Sequence, residues 1–350
     1  MRVSVIIPVW NGAATVGAAI ASVLAQQFDA ALAVDNLALA RAAVEIVVVD
    51  DGSSDSTQAV LEGFGNRITV VRQANRGLAA ARNAGVRAAR GEYLAFLDAD
   101  DQWIPAKLAL TMRAFARDPE CVMVYSDAVN VDAEGVTVSE FYNPPFQDHL
   151  PALSDLLARM WNILPSTMVV RRATFARVGG FAEEFKGSFG CEDLYFALRA
   201  REYGRFGYLG ERLVFYCHSD PASMLRKRLG WIRECARAAG FAASVGHFMH
   251  NYEVLIRLVG ARYGAAAHGL IGSVRRRQAA LLTGIGLTAI NQGDAAIARA
   301  SFRYALRYAP ADPRTYARLA WSLMPALVRE PIAAAMPARL ARSFEGPAQG

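Results

Sequence analysis

Three acidic clusters hold the residues of this 350-residue chain whose types and spacing could do chemistry. In Asp98-Ala99-Asp100-Asp101, two carboxylates one residue apart on a turn can converge on a hard divalent cation that prefers oxygen ligands. Magnesium or manganese held there keeps open positions for phosphate oxygens and neutralises charge developing on a diphosphate leaving group. The plainer alternative makes Asp98 a helix cap and its neighbours solvated turn acids. In Asp50-Asp51, ahead of Gly52-Ser53-Ser54-Asp55-Ser56-Thr57, a carboxylate can accept a hydrogen bond from a base imide or a ribose hydroxyl. The alternative there is a turn followed by a helix cap at Asp55 or Ser56. Glu192-Asp193 opens a predicted helix after the loop at 186–190. A carboxylate in that place either favours the helix macrodipole or acts as general base toward an alcohol nucleophile.

The elements around these clusters alternate. Residues 3–8 and 44–49 are continuous apolar runs, expected as strands buried on both faces, and 68–72 and 93–97 read as two more. Between them, 13–27, 56–64 and 77–90 read as helices, the first with Val16, Ile20, Val23 and Leu24 on one face. Such alternation predicts an α/β fold with a mostly parallel sheet, in which ligands bind beyond the carboxyl ends of the strands. The first two acidic clusters sit at such ends. Further strands are expected at 122–126, 166–171 and 214–217, and a helix at 192–203. After Pro221 the pattern is helical. Residues 279–308 and 313–327 read as amphipathic helices broken at Gly293-Asp294 and Pro310. Gly284, Ala289, Gly293, Ala296, Ala305 and Pro310 fall where one tetratricopeptide-like hairpin, at about 279–327, places small residues and its closing proline. A single such unit cannot bury its own face, so a capping hairpin is expected rather than a repeat array.

Composition bounds the rest. With 53% hydrophobic and 20% charged residues the chain is globular, with length for one large domain and a smaller one. The four cysteines are far apart and read as reduced thiols, not as a zinc site or disulfide framework. The N-terminal apolar run is too short for a secretory signal, and no stretch approaches a membrane span; the expected location is cytoplasmic. The net charge of +6 conceals an asymmetry: residues 1–225 hold 20 Lys+Arg against 26 Asp+Glu, whereas 226–350 hold 18 against 6. The basic rear suits anionic lipid headgroups, nucleic acid or another protein. No RNP, zinc-finger or clear helix-turn-helix signature favours nucleic acid, which is not expected as a partner. Arg226-Lys227-Arg228 and Arg275-Arg276-Arg277 would be either solvated helix faces or a peripheral attachment to the inner face of the cell membrane.

The order of the motifs carries more than any one of them. Val5-Ile6-Ile7-Pro8-Val9-Trp10-Asn11-Gly12, then Val48-Val49-Asp50-Asp51-Gly52-Ser53-Ser54-Asp55, then Asn75-Arg76-Gly77 with Ala81-Arg82-Asn83-Ala84-Gly85, resembles the family 2 glycosyltransferases. The resemblance continues through Gly91-Glu92-Tyr93, Phe96-Leu97-Asp98-Ala99-Asp100-Asp101, Gly179-Gly180-Phe181 and Glu192-Asp193, spanning about residues 3–220. It implies a GT-A-type domain over 1–220, with a nucleotide-sugar half to about 101 and an acceptor half from 102, followed by a basic helical region over 221–350. It also implies metal-dependent, inverting transfer of a sugar from a nucleotide diphosphate sugar to a glycan or lipid-linked acceptor. The default setting, by analogy, is cell-surface polysaccharide or lipopolysaccharide synthesis.

Carried onto this chain, the resemblance puts Pro8 and Trp10 in the nucleoside pocket, with Asp51 on the base and Asp50 supporting its turn. Arg82 becomes a candidate for the diphosphate or ribose. Asp98 would face the ribose or the metal, and Asp100 would ligate it. Asp193 would be the catalytic base, with Glu192 orienting it or touching the acceptor. His218 lies in a segment, Tyr216-Cys217-His218-Ser219-Asp220, similar to one carrying a histidine near the donor phosphates; it could ligate metal, touch phosphate or simply pack. The chain departs from the family pattern in an Ala-rich insertion at 29–43 and in the basic tail. Two other readings compete. A sugar-nucleotide nucleotidyltransferase needs a glycine-rich N-terminal loop with an arginine, which Val9-Trp10-Asn11-Gly12 does not supply. A non-catalytic scaffold using the helical tail for interactions is opposed by intact Asp98, Asp100 and Asp193.

Overall fold

Every position of Val3–Val9 (β1) is buried, as a strand must be when a parallel sheet is covered on both faces. In the computed structural model, which describes residues 2–28, 44–132, 137–141, 153–158, 163–185, 191–217 and 241–324, the chain divides into two units, residues 1–218 and 219–350.

The first unit runs β1, Val16–Leu24 (α1), Val44–Asp50 (β2), Thr57–Glu62 (α2), Thr69–Arg72 (β3), Leu78–Ala88 (α3) and Tyr93–Phe96 (β4). It continues with Gln102–Trp103 (β5), Lys107–Arg117 (α4), Cys121–Val131 (β6), Thr137–Phe141 (β7), Leu153–Ala158 (α5), Val169–Arg171 (β8), Arg172–Val178 (α6), Glu192–Arg201 (α7) and Arg205–Cys217 (β9). The strands form one sheet in the order β3-β2-β1-β4-β8-β6-β9-β5, with β7 paired to β6. Parallel pairing joins β3, β2, β1 and β4, as the βαβ alternation predicts. Beyond β4 the sheet is mixed. β8 runs antiparallel to both β4 and β6, β5 is antiparallel to β9, and β6 and β9 are parallel.

One face of the sheet packs on Val16, Ile20 and Val23 of α1 and on Leu108, Met112 and Phe115 of α4. Leu24, expected on the same face of α1, is exposed at the helix end. On α3 a Cβ at Gly85 would stand 2.5 Å from Ile6 Cγ2 and 3.1 Å from Val49 Cγ2, so only glycine lets that helix approach the strands so closely. Pro8 is tolerated in a central strand for a related reason. The β1–β4 ladder ends at Ile6–Phe96, so the missing N–H lies past its last rung.

The second unit contains Phe241–Tyr263 (α8), His268–Asn291 (α9), Ala295–Tyr308 (α10) and Pro313–Leu323 (α11). The breaks fall at Gly293-Asp294 and Pro310 as expected. Asp294 and Asp312 cap the helices that follow, accepting from Ile297 N and Arg314 N. Ala289 and Ala305 lie in the core around Phe302, where a Cβ at Gly286 would stand 2.6 Å from the ring. Among the described residues, no helix is long and apolar enough to cross a membrane.

Candidate active site

The parallel strands β1, β2 and β4 end on one edge, which brings Trp10, Asp50-Asp51 and Asp98 together. The loop after β1 is tied to the loop after β2. Asn11 N donates to Ser53 Oγ (2.9 Å), Gly12 N to Thr57 Oγ1 (3.0 Å) and Ala13 N to Asp55 Oδ2 (3.1 Å), while Asn11 Oδ1 accepts from Ser54 N (2.7 Å). Asn11 has φ 51°, a left-handed conformation that asparagine adopts more readily than bulkier residues. On this braced backbone the Trp10 side chain is 57% exposed. A large aromatic held rigid and open to solvent is suited to stacking on a planar ligand.

Asp50 and Asp51 are both buried and do different things. Asp50 Oδ1 accepts from Ser53 N (2.9 Å) within its own turn. Asp51 reaches the loop before α3: Oδ1 accepts from Gln73 Nε2 (2.7 Å) and Arg76 N (2.9 Å), and Oδ2 from Gly77 N (2.8 Å). With two lone-pair positions per oxygen, Oδ2 keeps one acceptor position. Gly52 is obligatory here, at φ 80° with its Cα only a missing methyl away from Asn75 N.

Arg82 joins the other two acidic clusters. Its side chain is 1% exposed; one terminal nitrogen donates to Asp98 Oδ1 and the other to Glu192 Oε1, both at 2.7 Å. The Phe181 ring lies 5.5 Å from the guanidinium carbon. Burial alone would depress the Arg82 pKa, but the Asp98 and Glu192 charges outweigh it and hold the group above its ordinary value. Arg82, expected at a diphosphate or ribose, is therefore a strut between the end of β4 and the start of α7. Its neighbour Asn83 ties two sequence motifs together: Nδ2 donates to Phe181 O (2.8 Å) and Oδ1 accepts from Phe181 N (2.9 Å). Gly180, at φ 83° and beside Asn83 Oδ1, leaves no room for a Cβ.

The Asp98 carboxylate, 25% exposed, has its second oxygen unclaimed by Arg82. Asp100 bonds no other side chain among the described residues; desolvation first and the Asp98 charge second push its pKa up to about 6. Asp101 is fully enclosed. It accepts from Ser166 Oγ and from Cys217 N (3.0 Å), and burial, then Asp100 and Asp98, raise its pKa well above its ordinary value. Across the site Asp193, 7% exposed, opens α7 with Oδ1 accepting from Leu194 N (2.7 Å). Tyr216 on β9 feels the whole group: burial first, then Asp101, Asp98, Asp100 and Asp193, raise its phenol pKa. Carboxylates from the turn after β4 and from the start of α7 thus converge on Tyr216 of β9.

These donors fit a magnesium-like cation. Asp98 and Asp100 offer only oxygen, and repulsion between them raises a pKa that a cation would lower. Among the described residues, no three His, Cys, Asp or Glu side chains form a ready metal centre. His218, the insertion at 29–43, the 186–190 loop and Arg226–Arg228 lie outside the described residues. Sequence reasoning gave Asp101 only the plain alternative of a solvated turn acid, whereas it is buried, and gave Ser166 and Tyr216 no role. Asp101 extends the acidic run and could have been singled out; Ser166, read as the start of a strand at 166–171, stands instead in the turn Pro165–Thr167 before β8, and neither it nor Tyr216 carries a signal.

Comparison with known proteins agrees with this geometry. Residues 4–173 match the family model described as glycosyl transferase family 2. An uncharacterized glycosyltransferase of Nostoc sp. is 33% identical over 184 residues, covering 51% of this chain and 53% of that protein. The chondroitin synthase of Escherichia coli is 34% identical over 131 residues, covering 34% of this chain and 19% of the synthase. The chain therefore spans about half the length of the first relative and less of the second. Among solved structures, a mannosyltransferase from Pyrobaculum calidifontis in complex with GDP-Man and Mn2+ superposes with a TM-score of 0.54 at 19% identity, covering 98% of this chain and 83% of that one.

Proposed function

From residues 4–173, which are a glycosyl transferase family 2 domain on a GT-A-type fold, we propose that this chain moves a sugar from a nucleotide diphosphate sugar to an acceptor hydroxyl with inversion. The observation that supports this reading is the Asp98–Arg82–Glu192 bridge, which ties the turn carrying Asp98 and Asp100 to the start of α7, where Asp193 lies. The base of the donor stacks on Trp10 beside Pro8, and the open acceptor position of Asp51 takes a base or ribose N–H or O–H. At Asp100, with the second oxygen of Asp98, a divalent cation would neutralise charge developing on the diphosphate. Asp193 takes the acceptor proton as the hydroxyl oxygen attacks the anomeric carbon from the face opposite the departing diphosphate. Glu192, neutralised by Arg82, keeps α7 in place so that Asp193 faces the acceptor. One displacement with one base inverts the centre.

Titration calorimetry with UDP, GDP, TDP and CDP, with and without Mn2+, tests this reading. One nucleotide should bind in a cation-dependent manner and Asp100→Ala should abolish that dependence. The variant should not lose stability: a carboxyl whose pKa is raised in the folded state destabilises the fold when ionised above its unfolded pKa, so removing it relieves the fold at neutral pH. Failure of all four nucleotides to bind would favour the scaffold reading instead.

The acceptor, in this proposal, belongs to a surface polysaccharide or lipopolysaccharide and is presented at the cytoplasmic face of the membrane; a relative that makes chondroitin supports the glycan class. The second unit supports the location. Residues 241–324 hold 10 arginines and 3 acids. Each acid is engaged internally: Glu253 by Gln278, and Asp294 and Asp312 as helix caps. Arg275, Arg276 and Arg277 are exposed. Replacing all three with alanine should weaken sedimentation with anionic liposomes on the order of a hundredfold at low salt. Wild-type binding that is absent, or indifferent to salt, would sink the membrane part of the proposal.

A further inference from the structure

The Asp98–Asp101 turn has to present two mutually repelling carboxylates in a fixed arrangement, and its own backbone supplies little to do so. Leu97 N donates to Ile6 O (3.0 Å) and Asp101 N closes the turn on Asp98 O (3.1 Å). Arg82 holds Asp98 Oδ1 and Cys217 N donates to Asp101, and one residue of the segment Pro165–Thr167 contacts both ends of the turn. Ser166, fully buried, accepts from Asp98 N at 3.0 Å and donates the same hydroxyl to Asp101. Its hydroxyl therefore grips the turn at both ends.

Ser166 is itself seated from behind by β5 and α4. Trp103 Nε1 donates to Ser166 O (2.8 Å), and Lys107 Nζ donates to the next carbonyl, Thr167 O (2.9 Å). The Lys107 ammonium is completely buried, lies 5.4 Å from the centre of the Trp103 ring, and faces no carboxylate within ion-pair distance among the described residues. Burial pushes its pKa down to about 7. A buried lysine held by one carbonyl is a poor way to stabilise a fold, since desolvation of the charge outweighs a single hydrogen bond. It is a good way to fix the position of a carbonyl.

We propose that Ser166 is the positioning residue of the cation-binding turn, seated by Trp103 and Lys107, and that it sets the geometry in which Asp98 and Asp100 meet the cation. This rests on the cation-dependent reading above. Residues that orient metal ligands typically account for about 10–100-fold in metal affinity.

The test measures Mn2+ affinity and Mn2+-dependent nucleotide affinity on the full chain, with thermal denaturation alongside. Ser166→Ala should weaken both affinities about 10–100-fold, leave metal-free nucleotide binding unchanged, and raise the apparent KM for Mn2+ more than it lowers kcat. Lys107→Met keeps an unbranched side chain one atom shorter and removes the ammonium. It should hold or raise the melting temperature while weakening Mn2+ affinity several-fold, a combination that a purely structural role does not produce. Mn2+ affinity within twofold of wild type in both variants, with Asp100→Ala still defective, would overturn the positioning role and leave the enzymatic reading standing. A wild-type chain that binds no Mn2+ would overturn both.

Discussion

Asp193→Asn is expected to lower kcat about 10²–10⁴-fold while leaving nucleotide and cation affinity unchanged. The substitution keeps the shape of the side chain and its place at the start of α7, where Oδ1 accepts from Leu194 N. It removes only the capacity to take a proton. An acceptor hydroxyl is a weak nucleophile at neutral pH, so the loss falls on turnover rather than on binding. Glu192 cannot stand in, because its Oε1 is tied to Arg82 in a buried pair. Steady-state rates and calorimetry on the same preparation check both halves. Unchanged turnover would remove Asp193 from the role and return attention to the acceptor side of the pocket.

Arg82→Met should be the most destabilising single change in the site. It leaves Asp98 and Glu192 facing a pocket that already holds Asp100, Asp101 and Asp193, with their shared counter-charge gone. Breaking a buried pair from one side costs about 3–5 kcal/mol, because the charge left behind has lost its partner and cannot be rehydrated. For a unit of this size the melting temperature should fall by roughly 10 °C. Adding Glu192→Gln to Arg82→Met removes one of the two stranded charges and should restore part of the loss, whereas adding Asp100→Asn, which touches neither nitrogen, should restore less. Equilibrium denaturation of the three variants gives the comparison. A loss below about 1 kcal/mol for Arg82→Met would mean the bridge contributes little to stability.

The same bridge separates what could be read in the sequence from what could not. Apolar runs located β1, β2 and β4, and the acidic residues that end the last two put Asp50, Asp51 and Asp98 at carboxyl ends, because strand burial and turn chemistry are local properties of the chain. Helix breaks at Gly293-Asp294 and Pro310 were legible for the same reason. In the mixed half the strands were expected, but not their order: β8 falls within the strand read at 166–171, yet no local pattern places it antiparallel between β4 and β6.

Partnership between distant side chains was not legible at all. Arg82 and Glu192 are 110 residues apart, Asn83 and Phe181 are 98 apart, and Ser166 reaches back 65 residues to Asp101. The motif containing Arg82 pointed to a ligand; the fold spends that guanidinium on two carboxylates, since a buried cation takes whichever anions the packing brings within reach. The sequence by itself determined which residue types could bind a cation, a nucleoside and a proton, and on which edge of the sheet they stand. Only the tertiary structure decided which of them face the pocket and which hold the others in place, because hydrogen bonds and ion pairs depend on distances that chain order does not set.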